Sequence, residues 1–131
     1  MKRRLLSVIL AVVLILSMAV PAFALSKSGT IANNPWSCYA SVTGTTASAT
    51  TSYQGPTKCY TYIDVNAWCG QHTETYYNVE SKSASANGNA TAEVTNPVVT
   101  INGTSHICSP ISGYMLGRVG SQVVVNYEYF S

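Results

Sequence analysis

The chain has 131 residues, enough for one small domain, with only 9% charged side chains and a formal net charge of +2. Three basic residues, Lys2, Arg3 and Arg4, stand at the extreme N-terminus; beyond residue 24, Lys27, Lys58, Lys82 and Arg118 face Asp64, Glu74, Glu80, Glu93 and Glu128, one more acid than base. So thin and scattered a positive charge gives no footing for nucleic acid or an anionic membrane surface as partner, since both require clustered Lys and Arg.

Residues 1–24 read as a secretory signal peptide. A basic start precedes an almost unbroken apolar run from Leu5 to Val20, and Pro21-Ala22-Phe23-Ala24 supplies the small residues of an A-x-A cleavage site. The run lies near the lower limit of about 17 residues for a spanning helix, but the basic start before it and the A-x-A site just after it favour a cleaved leader over an anchor. The expectation is a secreted product beginning at Leu25, with no membrane span after cleavage. Residues 25–34 are expected as a flexible leader with little to bury, and 35–131 as a single domain.

Tyr, Thr and Val, which favour strands, are plentiful in residues 25–131, where good helix formers such as Leu, Lys and Glu are scarce, and all nine tyrosines lie there. From Trp36, residues alternate in character to Thr43; Gly44 is expected to mark a bulge or bend, with a small-residue strand continuing to Tyr53. Gln54-Gly55-Pro56 is a turn. The stretch from Cys59 to Cys69 then keeps a strict period of two, with Thr61, Ile63, Val65 and Ala67 on the cysteines' face. Gly70-Gln71-His72 is expected to turn the chain into Thr73–Ser83, pairing Trp68 with Glu74, Asn66 with Tyr76 and Ile63 with Val79.

Asn87-Gly88 is expected to form a hairpin between Glu80–Ser85 and Ala90–Thr95, and Asn102-Gly103 another between Val98–Ile101 and Thr104–Cys108. Pro110 to Gly120 reads as the least regular stretch, before a last strand at Gln122–Phe130. About seven short strands with turns at this spacing predict an all-β protein, an antiparallel β-sandwich or small barrel.

Four cysteines, Cys38, Cys59, Cys69 and Cys108, in a small exported domain predict two disulfides. A continuous strand from Cys59 to Cys69 would hold their Cα atoms roughly 33 Å apart. A disulfide tolerates only about 4.4–6.8 Å, so these two do not bond each other. If Gln54-Gly55-Pro56 makes a hairpin, Cys38 is carried toward Cys69, leaving Cys59 to Cys108.

No residue pattern carries catalysis. The serine nucleophile elbow G-x-S-x-G is absent, and the carboxylates are scattered. His72 and His106 are lone histidines, with His72 and Glu74 offering at most a weak chelate, so neither a metal nor another cofactor is expected. The one surface suited to recognition is the expected outward face of strands 58–68 and 74–82. There Tyr60, Tyr62, Trp68 and Tyr76 would stand among Asp64, Asn66, Asn78, Glu74 and Glu80. Aromatic rings with nearby carboxylates and amides suit a sugar or a protein partner. The chain therefore reads as a secreted, non-catalytic binding module, extracellular or associated with the cell envelope, for a glycan or protein ligand. The alternative is a secreted antimicrobial or bacteriocin-like effector.

Overall fold

The computed structural model describes residues 25–131; the signal-peptide reading of residues 1–24 lies outside them. Ten strands follow one another: β1 (Leu25–Ile31), β2 (Asn34–Thr43), β3 (Thr46–Tyr53), β4 (Cys59–Cys69), β5 (Glu74–Ala86), β6 (Gly88–Thr95), β7 (Val98–Ile101), β8 (Thr104–Ile107), β9 (Ser109–Val119) and β10 (Gln122–Phe130). They build two four-stranded antiparallel sheets, in spatial order β1-β2-β3-β6 and β10-β9-β4-β5, with β7 and β8 as a separate hairpin. Among the described residues there is no helix, and so none long and apolar enough to cross a membrane. The architecture is the expected all-β antiparallel one, with more strands.

The core follows from the alternation in each strand. The first sheet contributes small residues: Cys38 and Ala40 from β2, Ala47 and Ala49 from β3, Ala92 from β6, with Val94 larger. The second contributes bulkier ones: Ile63 and Val65 from β4, Met115 from β9, Val125 and Phe130 from β10. Large side chains thus fill the space that the alanines leave, as close packing requires. Thr61 links the sheets by hydrogen bonds. Its hydroxyl donates to the Ala90 carbonyl (2.7 Å), accepts the Thr51 N–H (2.9 Å) and lies 2.8 Å from the Thr51 hydroxyl. A buried threonine is thereby satisfied rather than left at a cost of about 1–3 kcal/mol.

Several local expectations need correction. Residues 25–31 are no loose leader: they pair along their whole length with β2, from Leu25 opposite Ala40 to Ile31 opposite Asn34. An edge strand needs backbone partners on one side only, so a polar, small-residue sequence suffices. Gly44 and Thr45 make a two-residue turn between β2 and β3, since Thr43 faces Thr46. Asn87-Gly88 joins no hairpin; there the chain passes from β5 in one sheet to β6 in the other. The turn at Asn102-Gly103 is as expected, with Ile101 facing Thr104.

The stretch expected to be least regular is β9, which lies between β4 and β10. Its glycines mark close approach, not turns. A Cβ on Gly113 would lie 2.6 Å from the Asp64 carbonyl oxygen, and one on Gly117 would lie 2.9 Å from both Cys38 Sγ and the Thr51 hydroxyl.

β4 is the single strand its period predicted, and Cys59 and Cys69 are not bonded. The partners differ from expectation, however. Cys69 is joined to Cys108 with Cα atoms 4.7 Å apart, while Cys38 and Cys59 are buried free thiols, so neither Cys38–Cys69 nor Cys59–Cys108 forms. The cause is the segment after β3: it carries the chain across to the second sheet instead of closing a hairpin. That leaves Cys38 opposite Thr51, whose carbonyl accepts the Cys59 thiol at 3.1 Å. Cys108, returning from β8, meets the far end of β4.

The register between β4 and β5 is also shifted, by one residue next to the turn and by three beyond a bulge. The turn spans four residues, Gly70 to Thr73, with Thr73 in the left-handed region (φ 48°), so Cys69 faces Glu74 and Trp68 faces Thr75. Farther along, Ala67 faces Tyr76 but Val65 faces Glu80. The residues between, Tyr77 to Val79, bulge opposite Asn66. Because sheet side chains alternate, a one-residue shift moves β5 side chains to the opposite face.

Candidate functional site

Tyr60, Tyr62 and Trp68 project from the outer face of β4, as expected. Tyr76 does not join them. Opposite Ala67, it packs against the cluster of Ala67, Cys69, Val99 and Cys108 next to the β7–β8 hairpin. Its hydroxyl donates to the Glu74 carboxylate at 3.1 Å, and desolvation followed by this acidic neighbour pushes the phenol above its ordinary value.

The outer face has tyrosines that the sequence reading missed. β9 and β10 place Tyr114 opposite Tyr129, with rings 5.7 Å apart and edge to face. Tyr127 meets Tyr62 the same way at 6.0 Å, and the Arg118 guanidinium sits 4.3 Å above the Tyr60 ring. Tyr114, Tyr127 and Tyr129 are 40%, 55% and 56% exposed, far more than core residues beside them, so these rings are presented to solvent. Polar groups are interleaved: the Tyr62 hydroxyl donates to Ser81 (3.1 Å), which donates to the Asp64 carboxylate (2.9 Å).

Tyr127 has φ of 47°, a left-handed conformation that is strained for a bulky aromatic residue. It lies in an irregularity of β10, between Val125 opposite Gly117 and Glu128 opposite Met115. Strain of this kind costs on the order of 1–3 kcal/mol and concentrates at functional surfaces.

Trp68, 41% exposed, stands apart from the tyrosines at the end of β4. Six residues, roughly 20 Å, separate it from Tyr62. Between them lies buried Asn66, whose amide donates to Ser112 (3.0 Å) and whose oxygen accepts the Asn78 N–H (3.0 Å). A shallow cleft of about 390 Å³ lies on the other sheet, lined in part by Gly29, Pro35 and Trp36, with no ionisable side chain in its wall.

His72 and His106, distant in sequence, come into contact, while Glu74 is engaged by Tyr76 instead of His72. In comparisons with known proteins, no family model, no curated protein and no solved structure matches the chain. Fold and site together define an antiparallel β-sandwich with one disulfide and a tyrosine-rich outer sheet face.

Proposed function

We propose that the chain is a small exported binding module without catalytic activity, and that the outer face of β10-β9-β4-β5 takes a neutral glycan. The observation that carries this reading is Tyr127, held in a strained backbone conformation with its ring exposed beside Tyr62. The irregularity that holds Tyr127 lets Val125 and Phe130, five residues apart, both reach the core, and it also turns the Tyr127 ring outward beside Tyr62, where a ligand could use it. Tyrosine rings cover the apolar C–H faces of pyranose rings, and their hydroxyls, with Ser81 and Asp64, serve sugar hydroxyls. The thin charge favours an uncharged polymer over a charged one. Export is supported by the Cys69–Cys108 disulfide, since such bonds persist in oxidising compartments.

The test is retention of the secreted chain on insoluble neutral polysaccharides at high salt, compared with Tyr127→Ala/Tyr129→Ala. At least a tenfold loss of retention at unchanged melting temperature is expected. Equal retention by the double variant, or none by the wild type on any such polymer, rejects the reading. Intact-mass measurement of material outside the cell, beginning at Leu25, checks export separately.

A further inference from the structure

We propose that His72 and His106 form a two-imidazole site for a borderline divalent transition ion of the zinc or copper class. The site lies at the tip of the sandwich where the β4–β5 turn meets β8, outside the tyrosine face.

The first ground is the bite. The two Nε2 atoms are 3.3 Å apart, with ring planes inclined at 73°. Two imidazole nitrogens each about 2.0–2.1 Å from one tetrahedral ion stand roughly 3.3–3.4 Å apart. The side chains already hold the spacing that such an ion imposes.

The second ground is the support behind one ligand. His106 Nδ1 lies 2.8 Å from the Gln71 side-chain oxygen. An amide oxygen can only accept, so Nδ1 carries the proton and the lone pair of His106 is at Nε2, facing His72. A hydrogen bond to the far nitrogen is how histidine ligands are oriented and made more basic. In the metal-free protein His72 Nε2–H donates to that lone pair. On binding, His72 takes the other neutral tautomer, its proton passing to Nδ1 through solvent, and both Nε2 atoms then face the ion.

The third ground is preorganisation. Cys69 is three residues before His72 and Cys108 two residues after His106, so the Cys69–Cys108 bond ties together the two segments that carry the ligands. Little chain order remains to be lost on binding. His72 is exposed and His106 partly so, which leaves the ion's other positions to water or to a group from outside. Imidazole ligands select zinc, copper or nickel, whereas magnesium and calcium require oxygen.

The test uses the disulfide-intact chain and Zn²⁺ alone, followed by calorimetry and by melting. Wild type is expected to take up one equivalent and to melt higher with Zn²⁺. His72→Gln and His106→Gln should each weaken binding at least tenfold and abolish the rise in melting temperature, with melting in the absence of metal unchanged. Gln71→Ala, which leaves both ligands in place, should weaken binding about tenfold or more. Mg²⁺ should produce neither heat nor shift. The proposal is overturned if wild type shows no uptake at millimolar Zn²⁺, if both histidine variants bind as well as wild type, or if Mg²⁺ binds equally.

Discussion

Asn66 of β4 holds Asn78 of β5 through a 3.0 Å hydrogen bond from the Asn78 N–H, at the point where β5 bulges away from the ladder. With its amide also donating to Ser112, one buried side chain anchors both neighbours of β4. Asn66→Ala leaves the Ser112 hydroxyl and the Asn78 N–H without this partner and should cost about 2 kcal/mol in urea unfolding. Adding Ser112→Ala should cost less than the sum of the separate effects; full additivity would show that the two residues are uncoupled.

Gly113→Ala should destabilise more than Gly117→Ala. The new methyl group at Gly113 meets the Asp64 backbone and the Phe130 ring, whereas at Gly117 it meets side-chain atoms of Cys38 and Thr51. Overpacking of this kind costs about 1–3 kcal/mol, and backbone yields less readily than side chains. Chemical denaturation of both variants gives the order directly.

Peptide mapping without reduction should recover Cys69 linked to Cys108 and two thiols that alkylate only after unfolding. For a sequence separation of 39 residues, the loop-closure model gives the disulfide about 4 kcal/mol of stabilisation. Unfolding of the Cys69→Ser/Cys108→Ser variant measures it.

The Cys38 thiol adds a pH dependence. Burial raises it above its ordinary value of 9.0, the nearby Cys59 thiol adds to this, and the Thr51 hydroxyl opposes both. The folded thiol therefore stays neutral where the unfolded one ionises. Its contribution to stability is complete below pH 9.0 and is lost as pH rises through the higher folded value. Unfolding free energies measured from about pH 8 to 10 should fall more steeply for wild type than for Cys38→Ala.

Trp68→Ala should cost well under the roughly 3–5 kcal/mol of a core aromatic, because the ring is partly in water and off the inner face. A large fall in melting temperature would mean that the ring is structural.

Legibility in the sequence varied with the range of the interaction. The strict alternation from Cys59 to Cys69 identified β4 because a half-buried strand leaves that signature locally. The β4–β5 register escaped because it depends on one residue, Thr73, adopting a left-handed conformation that its identity does not announce. Asn87-Gly88 signals a change of direction but not the sheet in which the chain continues. In β9, the glycines resemble turn residues, although their role is set by Asp64, Phe130 and Cys38 from elsewhere in the chain. That misreading hid Tyr114, and the bulges of β10 broke the alternation that would have placed Tyr127 and Tyr129 beside it. The His72–His106 contact needs β8 laid against the β4–β5 turn, a distance no local pattern spans.

The place of β9 in the chain has a consequence for timing. Pairing of β4 with β5 can begin once both are made, but the other edge of β4 waits for Ser109–Val119, and Met115 and Phe130 arrive with these last strands. A chain that has not reached residue 109 lacks Met115, Val125 and Phe130, which are among the largest of its buried side chains. Long-range pairing of this kind is slow, because loop closure precedes the contacts that reward it. If the chain is exported as proposed, this late completion keeps it slack during passage through a membrane pore. Cys69 would then meet Cys108 only when almost the whole length has emerged.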